Sequence, residues 1–425
     1  MKANELKSLL ANGALNAYTA LYADPIAQAK RMTDAIDSFT ALYGEDRDIS
    51  LFSVPGRSEI SGNHTDHNHG CVLAGAIDRD IIAVAAKNED GKIRFHSEGY
   101  PEDIVDLSDI DDPSRFRNYT SAALIAGLAK GFENRGFAIG GYDAYSTTEV
   151  LKGSGISSSA AFEVMIGNVL NYFYNDGTVS NVEIAKLSQF SENVYFGKPC
   201  GLMDQTACAV GGFVYIDFEN PKEPVIEPIN FSLTEAGYAL CIVNTGGNHA
   251  NLNEDYASVP AEMKAVAAAF GKEVLRGLTE DELFEKIPAL RETVGDRAIL
   301  RAIHFLRENR RVEKIRTALK EKDTDSFFAL VRASGDSSFK YLQNVYTNQN
   351  PSEQGLSLAL ALTEGFLAGR GGACRVHGGG FAGTIQVFLK AEDADAYCAK
   401  MDRVFGHGAA MKFRIRPLGA TKLFG

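Results

Sequence analysis

The apolar positions of the chain follow two different periods. Up to about residue 44, leucine, isoleucine and phenylalanine recur at intervals of three and four residues, as between Leu6 and Leu10. This spacing predicts helices at the start of the chain. Between residues 49 and 87 the apolar runs become short, and a polar segment separates them. We therefore predict strands on either side of a long functional loop.

Helices and strands alternate through the middle of the chain. Ser180 is a typical N-cap residue and Gly136 a typical stop signal, so they mark the ends of two predicted helices. The pattern predicts strands at 92–97 and Gly140–Ser146, and helices at Asn118–Arg135, Ile156–Tyr174 and Val182–Val194.

The second half of the chain mixes helices with strands. Strands are predicted at Phe213–Phe218 and Gly237–Val243, and a largely helical block follows from Pro260 to Ser334. Within that block, 296–308 and 311–321 are expected to be separate helices. Near the end we predict strands at Gly372–His377, Thr384–Leu389 and Lys412–Pro417, with a helix at Ala391–Phe405.

The length of the chain predicts more than one domain. A chain of 425 residues is long enough for two or three typical domains. The stretch Asn220–Pro228 is polar and contains prolines, which is typical of a junction that few contacts cross. We therefore predict one domain at 1–228 and a second at 229–425.

Charge and cysteine usage exclude several classes of function. The chain has 43 basic and 55 acidic residues and a net charge of −12, which argues against nucleic acid or an anionic membrane as partner. Its six cysteines show no Cys-x-x-Cys spacing, so neither a zinc site nor a disulfide framework is indicated. We find no signal peptide and no membrane-spanning apolar run, and we expect a soluble cytoplasmic protein.

The stretch Gly153–Ala161, Gly-Ser-Gly-Ile-Ser-Ser-Ser-Ala-Ala, runs directly into a predicted helix. Glycines let a backbone approach a ligand closely, and a helix start presents unpaired N–H groups and a partial positive charge. Such places bind anions, and the serines add donors for phosphate and an oxygen ligand for Mg²⁺. The alternative is an ordinary serine-capped helix after a glycine turn.

The segment Pro55–Gly70 holds more polar side chains than a turn requires. Because Asp, Asn and His pair with hydroxyl groups in several directions, a polyhydroxylated small molecule is the favoured ligand. A solvated loop without a ligand and a metal site are the alternatives. The candidate metal ligands, whose spacing matches none of the usual zinc motifs, are His64, Asp66, His67 and His69.

Two further segments are unusual. Asp204, in Cys200–Gln205, follows a predicted helix that carries Glu192. By itself, an acid in this position is typical of a helix cap.

Gly378–Gly383 lies between two predicted strands, where a flexible hairpin is the simpler interpretation. The chain has no Gly-x-x-x-x-Gly-Lys-Ser/Thr motif, so a Walker-type nucleotide site is not indicated.

In this order, the motifs resemble those of the GHMP family of small-molecule kinases, and within it the galactokinases. The resemblance spans most of the chain from about Leu51 onward. It rests on Pro-Gly-Arg-x-x-x-x-Gly-x-His-Thr-Asp at Pro55–Asp66, Gly-x-Gly-Ile-Ser-Ser-Ser-Ala-Ala at Gly153–Ala161, Pro-Cys-Gly-Leu-Met-Asp-Gln at Pro199–Gln205, and Gly-Gly-Gly-Phe-x-Gly at Gly378–Gly383.

The resemblance implies roles for individual residues. Asp204 corresponds to the catalytic acid beside the anomeric hydroxyl of the sugar, and Arg57 to its basic partner. Ser159 and Glu192 correspond to the hydroxyl and the carboxylate associated with Mg²⁺. The sugar contacts correspond to Asn63, His64, Asp66, Gly201 and Tyr256. The loop that binds the phosphates of ATP corresponds to Gly153, Ser154, Gly155, Ile156, Ser157, Ser158, Ser159 and Ala160.

The same resemblance implies an α+β fold with two domains. The N-terminal domain has a mixed sheet, helices and a left-handed βαβ crossover, the C-terminal domain is ferredoxin-like, and the active site lies between them. The implied activity is the phosphorylation of the C1 hydroxyl of galactose by ATP, with Mg²⁺, to give galactose 1-phosphate and ADP. The expected partners are therefore the sugar and ATP, and the expected state is a monomer.

The implied residues suit phosphoryl transfer, which depends mainly on positioning and charge neutralisation. In this hypothesis Arg57 and Mg²⁺ offset the charge of the γ-phosphate, while Asp204 orients the attacking hydroxyl. A cation near Asp204 lowers the pKa of its carboxyl, which favours the ionised form and weakens it as a base. Whether Asp204 removes the proton early or accepts it late stays open.

The chain departs from the galactokinase pattern in four places. Asn63 replaces a usual Glu, Ser58-Glu59 a usual Val-Asn, Ala382 a Gly and His377 a Thr. An amide accepts hydrogen bonds less strongly than a carboxylate but can also donate them. Asn63 therefore leaves two alternatives open, a kinase acting on another sugar and a catalytically weak regulator that binds sugar and ATP. The regulator is disfavoured because the implied catalytic and metal-associated residues are all present.

Overall fold

The computed structural model describes residues 1–150, 155–247 and 252–425. None of the helices in these ranges is both long and apolar enough to cross a membrane. In chain order, the α-helices are α1 (Ala3–Ala11), α2 (Pro25–Tyr43), α3 (Ser121–Asn134), α4 (Ser158–Tyr174), α5 (Asn181–Ser191), α6 (Met203–Val210), α7 (Asn253–Ala269), α8 (Glu280–Glu285), α9 (Ile287–Thr293), α10 (Asp296–Lys320), α11 (Thr324–Ser337), α12 (Gly355–Leu367) and α13 (Ala394–Phe405).

Strands are distributed along the whole chain, and their mixture with helices confirms the α+β class. Single turns of π-helix follow α5 and α11, at Glu192–Phe196 and Ser338–Leu342. The strands are β1 (Ser50–Ser61), β2 (Cys71–Lys87), β3 (Lys92–Ser97), β4 (Asp103–Asp106), β5 (Tyr142–Thr148), β6 (Phe213–Asp217), β7 (Val225–Ile229), β8 (Tyr238–Asn244), β9 (Ala373–His377), β10 (Thr384–Lys390), β11 (Ala410–Phe413) and β12 (Thr421–Phe424).

The chain folds as two compact units that interleave along the sequence. The chain passes from one unit to the other within β1 and again within β2. The single domain boundary after residue 228 stays a prediction. The first unit comprises Met1–Arg57, Ala76–Gly212 and Arg416–Gly425, and the second comprises Ser58–Gly75 and Phe213–Ile415.

The first unit is built on a mixed sheet with the strand order β12-β1-β2-β5-β3-β4, in which β3 and β5 are parallel. Residues 81–86 of β2 are apolar and buried, which is typical of a strand covered on both faces. Ile82 and Val84 pack in a cluster with α1 and α2. Phe52 of β1 contacts Phe173 of α4, with 5.6 Å between ring centroids. Helices therefore shield the sheet from water.

A buried carboxylate connects the first helices to the sheet and to the end of the chain. Asp80 of β2 pairs with Arg31 of α2 at 2.7 Å and with Arg416 at 3.1 Å. It also accepts hydrogen bonds from the hydroxyls of Tyr22 and Ser53. Burial alone would raise the pKa of Asp80, but the two arginines lower it to about 2. The carboxylate is thus ionised at neutral pH, and the helices at the start of the chain belong to this unit's core.

The second unit contains an antiparallel sheet with the strand order β11-β8-β10-β9. Leu356 of α12 and Tyr397 of α13 belong to the apolar cluster on this sheet. Phe388 of β10 packs on Phe327 of α11, with 5.2 Å between ring centroids. Strand β6 pairs with the start of β2 and with β7.

Several elements differ from their predictions. Strand β1 continues to Ser61, although a loop was expected from Pro55, because buried polar residues interrupt the apolar pattern without ending the strand. Ser58, for example, contacts Nε2 of His377 at 3.1 Å. The two helices expected at 296–308 and 311–321 are one helix, α10, since polar residues break an apolar pattern but not a helix. The expected junction contains β7, and α12 was not predicted.

Candidate active site

Arg57 and Asp204 form a bidentate ion pair in the first unit. Nε and Nη2 of Arg57 donate to Oδ1 and Oδ2 of Asp204, both at 2.7 Å. This geometry fixes the planes of both groups. Asp204 lies in the first turn of α6, where the helix dipole favours a negative charge. Asp204 is therefore part of a helix, and its carboxylate is held by an arginine of strand β1.

The start of the predicted phosphate loop contacts the same ion pair. Nη1 of Arg57 donates to the carbonyl oxygen of Gly155, and Oγ of Ser157 donates to Oδ2 of Asp204. Ser157 has a φ angle of +58°, in the left-handed region that favours glycine. Such strain costs free energy and is concentrated at functional sites. The structure thus brings the two predicted catalytic residues together with this loop.

The remaining described residues of the loop lie beside β1 and at the start of α4. Gly153 and Ser154 are outside the described residues. The backbone N–H of Arg57 donates to the carbonyl of Ile156 at 3.1 Å, and a Cβ on Gly56 would lie 2.7 Å from that oxygen. Glycine at position 56 therefore permits this close approach. Ser158, Ser159 and Ala160 form the first turn of α4.

The ion pair sets the charge of Asp204. Burial alone would raise the pKa of this carboxyl. The charge and hydrogen bonds of Arg57, together with the hydrogen bond from Ser157, instead hold the pKa below its usual value. Asp204 is therefore an ionised hydrogen-bond acceptor at neutral pH and a weak base.

Glu192 is buried beside a second carboxylate. It begins the π turn after α5 and is 2% exposed. Nε2 of Gln205 lies 2.8 Å from Oε2 of Glu192 and 3.1 Å from Oε2 of Glu163 on α4. Nζ of Lys198 lies 3.2 Å from Oε1 of Glu192. Burial, together with the charge of Glu192, raises the pKa of Glu163 well above its usual value.

Glu163 and Gln205 were not predicted as site residues. A signal for Glu163 was present, because this acid interrupts the apolar series of α4 about one helical turn after Ser159. Gln205 directly follows Asp204, but its side chain points to the carboxylates instead of the arginine. No local pattern in the sequence indicates that contact.

In the second unit, the side chain of Asn63 is held by three partners. Nδ2 donates to Oε1 of Glu59 at 2.8 Å and to the carbonyl of Gly378, and Oδ1 accepts from Nδ2 of Asn344 at 2.6 Å. An amide has two N–H donors, so both are used within the protein. Asn63 thus connects the carboxylate of Glu59 to the glycine-rich segment.

His64 contacts the same segment through the carbonyl of Gly379, at 2.8 Å from Nε2. A carbonyl can only accept, so Nε2 carries the hydrogen and Nδ1 keeps a lone pair. Burial and the neighbouring His67 lower the pKa of His64 to about 4. A carboxylate oxygen of Asp66 lies 3.1 Å from Nδ1 of His67. His64 is therefore a neutral imidazole at physiological pH.

Tyr256 lies against the glycine-rich segment as well. Its hydroxyl donates to the carbonyl of Gly380 at 2.9 Å, and its ring meets Phe381 edge to face at 5.4 Å. A Cβ on Gly379 would lie 2.6 Å from the tyrosine ring, so only glycine fits there. The structure thus brings three of the predicted sugar contacts to one segment. Gly201 belongs to the first unit, where it is exposed.

Helix α10 supports the segment around Asn63. Nε2 of His304 donates to the backbone carbonyl of Asn63 at 3.0 Å. Oε1 of Glu308 accepts from Oγ of Ser61 at 2.8 Å and from the backbone N–H of Gly62 at 3.0 Å. His304 and Glu308 are fully buried. These long-range contacts explain why the segment is ordered although its sequence is polar.

Two segments of the chain match known protein families. The galactokinase galactose-binding signature matches residues 37–87, and the GHMP kinases N-terminal domain matches residues 120–212. The first range includes Arg57 and Asn63, and the second includes the phosphate loop and Asp204. The candidate catalytic pair and most of the predicted sugar contacts therefore lie in segments that match this family, while Tyr256 lies outside them.

Relatives cover most of the chain. A galactokinase of Streptomyces coelicolor is 30% identical over 375 residues, which are 87% of this chain and 92% of that protein. The chain belongs to the galactokinase family. It is thus a sugar kinase of the GHMP type, a phosphotransferase. A galactokinase of Thermotoga neapolitana is also 30% identical, over 79% of this kinase and 88% of the relative.

Solved structures show the same fold. The galactokinase of Lactococcus lactis, solved in complex with galactose, has a TM-score of 0.75 and 24% identity and covers 91% of this kinase and 98% of that chain. A mevalonate kinase has a TM-score of 0.59 and 16% identity, over 86% of this kinase and 98% of that chain. The fold of the kinase is therefore the GHMP kinase fold.

The environment of His64 generates a prediction about its titration. We expect His64 to titrate near pH 4 and to carry its hydrogen on Nε2, because burial disfavours the charged ring and Gly379 accepts from that nitrogen. Nitrogen-detected NMR of the imidazole rings, assigned with a His64→Gln variant, measures both properties. Titration near the ordinary value of about 6.5, or a hydrogen on Nδ1, would contradict this account.

Proposed function

We propose that this kinase transfers the γ-phosphoryl group of ATP to the C1 hydroxyl of galactose. The observation that carries the proposal is the ion pair of Arg57 and Asp204, in hydrogen-bond contact with the loop at Gly155 and Ser157. The galactokinase relatives, and a structural neighbour complexed with galactose, support the choice of sugar.

Asp204 and Arg57 have complementary roles in this proposal. The ionised carboxylate of Asp204 accepts a hydrogen bond from the C1 hydroxyl and orients its oxygen toward the γ-phosphorus. A bond forms between these atoms while the bond to the ADP oxygen breaks, and Arg57 offsets the charge on the transferred group. Because the pKa of Asp204 is low, we favour late acceptance of the proton, when the hydroxyl has become acidic.

Mg²⁺ fits the oxygen donors near the phosphate loop. Magnesium prefers oxygen ligands and usually takes one or two carboxylates together with nucleotide phosphates. Ser159 and Glu192 would hold it, and Oε1 of Glu163 is a buried oxygen without a hydrogen-bond partner among the described residues. When bound, the ion neutralises charge on the β- and γ-phosphates of ATP.

The sugar contacts are proposed in the second unit, except for Gly201. Nδ1 of His64 has a lone pair that can accept from a sugar hydroxyl, and Asp66 offers a carboxylate. Tyr256 and the glycine-rich segment complete this group. Hydroxyl donors and acceptors of a pyranose suit such a mixture of neutral and charged acceptors.

Glu59 and Asn63 are a reason to keep galactose as the substrate. Galactokinases usually carry an Asn at the position of Glu59 and a Glu at the position of Asn63, so the two side chains have exchanged places in this chain. They are hydrogen-bonded to each other at 2.8 Å. We infer that the exchange preserves one carboxylate and one amide at this point of the sugar site. The carboxylate of Glu59 then takes the place of the glutamate that Asn63 replaces.

A cytoplasmic monomer remains part of the proposal. All six cysteines are free thiols, which agrees with a reducing compartment. The proposed substrates, a sugar and ATP, are small molecules, and the proposed site uses residues of one chain.

A substitution at Asp204 tests the proposed chemistry. We expect Asp204→Asn to lower kcat by about 10³-fold, because an amide can neither accept the proton nor balance Arg57. The Kd values of galactose and ATP should stay within about threefold of wild type, since the amide still accepts a hydrogen bond. Turnover by coupled ADP release and binding by calorimetry separate the two effects.

Asp217→Asn is the matched control for this variant. Asp217 forms a similar bidentate pair with Arg276, at 2.9 and 3.0 Å, and belongs to the other unit. The kcat of Asp217→Asn should stay within about threefold of wild type, while the thermal stability of this variant falls. Near-normal turnover of Asp204→Asn would exclude the proposed role.

A double-mutant cycle tests the exchange of Glu59 and Asn63. We expect Asn63→Glu to lower kcat/KM for galactose by about 100-fold, because it brings two carboxylates together and removes the donor to Gly378. Glu59→Asn should also impair the enzyme. The double variant restores one amide and one carboxylate and should recover to within about tenfold of wild type. Improved activity of Asn63→Glu alone would contradict the inference.

A further inference from the structure

A pair of carboxylates lies next to the phosphate loop. Glu163 is fully buried and Glu192 is 2% exposed. Nε2 of Gln205, itself 1% exposed, donates to both and so joins them side by side. Removing two carboxylates from water costs free energy unless cations or protons offset their charge.

Within the described part of this cluster, only one of the two acids is in a direct ion pair with a cation. Lys198 pairs with Oε1 of Glu192, and its side chain is more than half exposed. Oε1 of Glu163 is buried and has no hydrogen-bond partner among the residues that the structure describes. Oε1 of Gln205 is also buried and without a partner there. A structural role alone leaves these oxygen atoms unexplained, since buried polar atoms are usually satisfied.

Helix geometry relates Glu163 to the phosphate loop. Ser159 and Glu163 are four residues apart on α4, so their side chains lie on the same face with Cβ atoms about 6 Å apart. The helix therefore directs a hydroxyl and a carboxylate to one side, and Gln205 adds the carboxylate of Glu192. One helix face therefore relates Ser159 to Glu163, and the amide of Gln205 relates Glu163 to Glu192.

We propose that Glu163 is the second carboxylate that holds the divalent cation of the bound nucleotide, and that Gln205 is a positioning residue that fixes Glu163 beside Glu192. The inference rests on the proposed function in that the cation enters with ATP. Glu163 acts either by direct contact with the cation or through one of its water ligands, and both arrangements use the unpartnered oxygen. Gln205 touches neither sugar nor phosphate in this scheme.

The experiment measures binding of Mn²⁺ as a spectroscopic probe. Electron paramagnetic resonance of free Mn²⁺, with the full chain and a saturating non-hydrolysable ATP analogue, gives the affinity of the ion without turnover. We expect Glu163→Gln to weaken Mn²⁺ binding by about 10–100-fold and Gln205→Leu to weaken it by about tenfold. Binding of the analogue without metal should stay within about twofold, because neither residue contacts the phosphates directly.

Thermal unfolding without metal distinguishes this role from a structural one. Glu163→Gln replaces a carboxyl whose charged form is costly to bury with a neutral group of the same shape, so the Tm should be equal to or above that of wild type. Glu133→Gln is the matched control, because Glu133 pairs with Lys130 on the surface of α3. It should leave Mn²⁺ binding unchanged.

Two results would overturn the inference. One is Mn²⁺ affinity within twofold of wild type in Glu163→Gln. The other is a lowered Tm with equal losses of metal-free and metal-dependent nucleotide binding, which a merely structural role produces. If Glu163→Gln does not fold, unchanged Mn²⁺ affinity in Gln205→Leu overturns the inference by itself. Failure of the proposed function is separate, because it appears as absent galactose turnover in wild type.

Discussion

The ion pair of Arg57 and Asp204 is the interaction on which the candidate site depends. It joins the end of β1 to the first turn of α6 with two hydrogen bonds of 2.7 Å. The same arginine holds Gly155, and the same aspartate accepts from Ser157 in its strained conformation. A single charge pair thereby orients a strand, a helix and the predicted phosphate loop, and it keeps the acid ionised.

In the second unit a network of hydrogen bonds orients the candidate sugar contacts. Asn63, His64 and Tyr256 are each hydrogen-bonded to a carbonyl of the glycine-rich segment. Helix α10 fixes the chain at residues 61–63 through His304 and Glu308. The polar sequence of this region is therefore the consequence of specific pairing, and the exchanged residues Glu59 and Asn63 are hydrogen-bond partners of each other.

Local signals in the sequence were sufficient to predict several features of the fold and of the candidate site. The cap at Ser180 was confirmed, because its hydroxyl accepts from the N–H of Glu183 as expected for an N-cap. The α+β class and the kinase family were also predicted correctly. The partners of Asn63 could not be predicted, since Asn344 lies far along the chain. The predicted strand ended before the observed β1 does for the same reason, because the hydrogen-bond partners of Ser58 and Ser61 are distant in sequence. The position of Glu163 one turn after Ser159 is visible in the sequence. Its proximity to Glu192 is not, because Gln205 joins the two carboxylates in the folded protein.

The most direct test of the account measures ADP release from ATP with a panel of free sugars, followed by NMR identification of the phosphorylated carbon. The account predicts the highest kcat/KM for galactose and a phosphate on C1. Phosphorylation of another carbon would contradict the assigned role of Asp204. Preference for a different sugar would contradict the inference that the exchange of Glu59 with Asn63 preserves the galactose site. Sugar binding without any ADP release would contradict the claim that this site performs phosphoryl transfer.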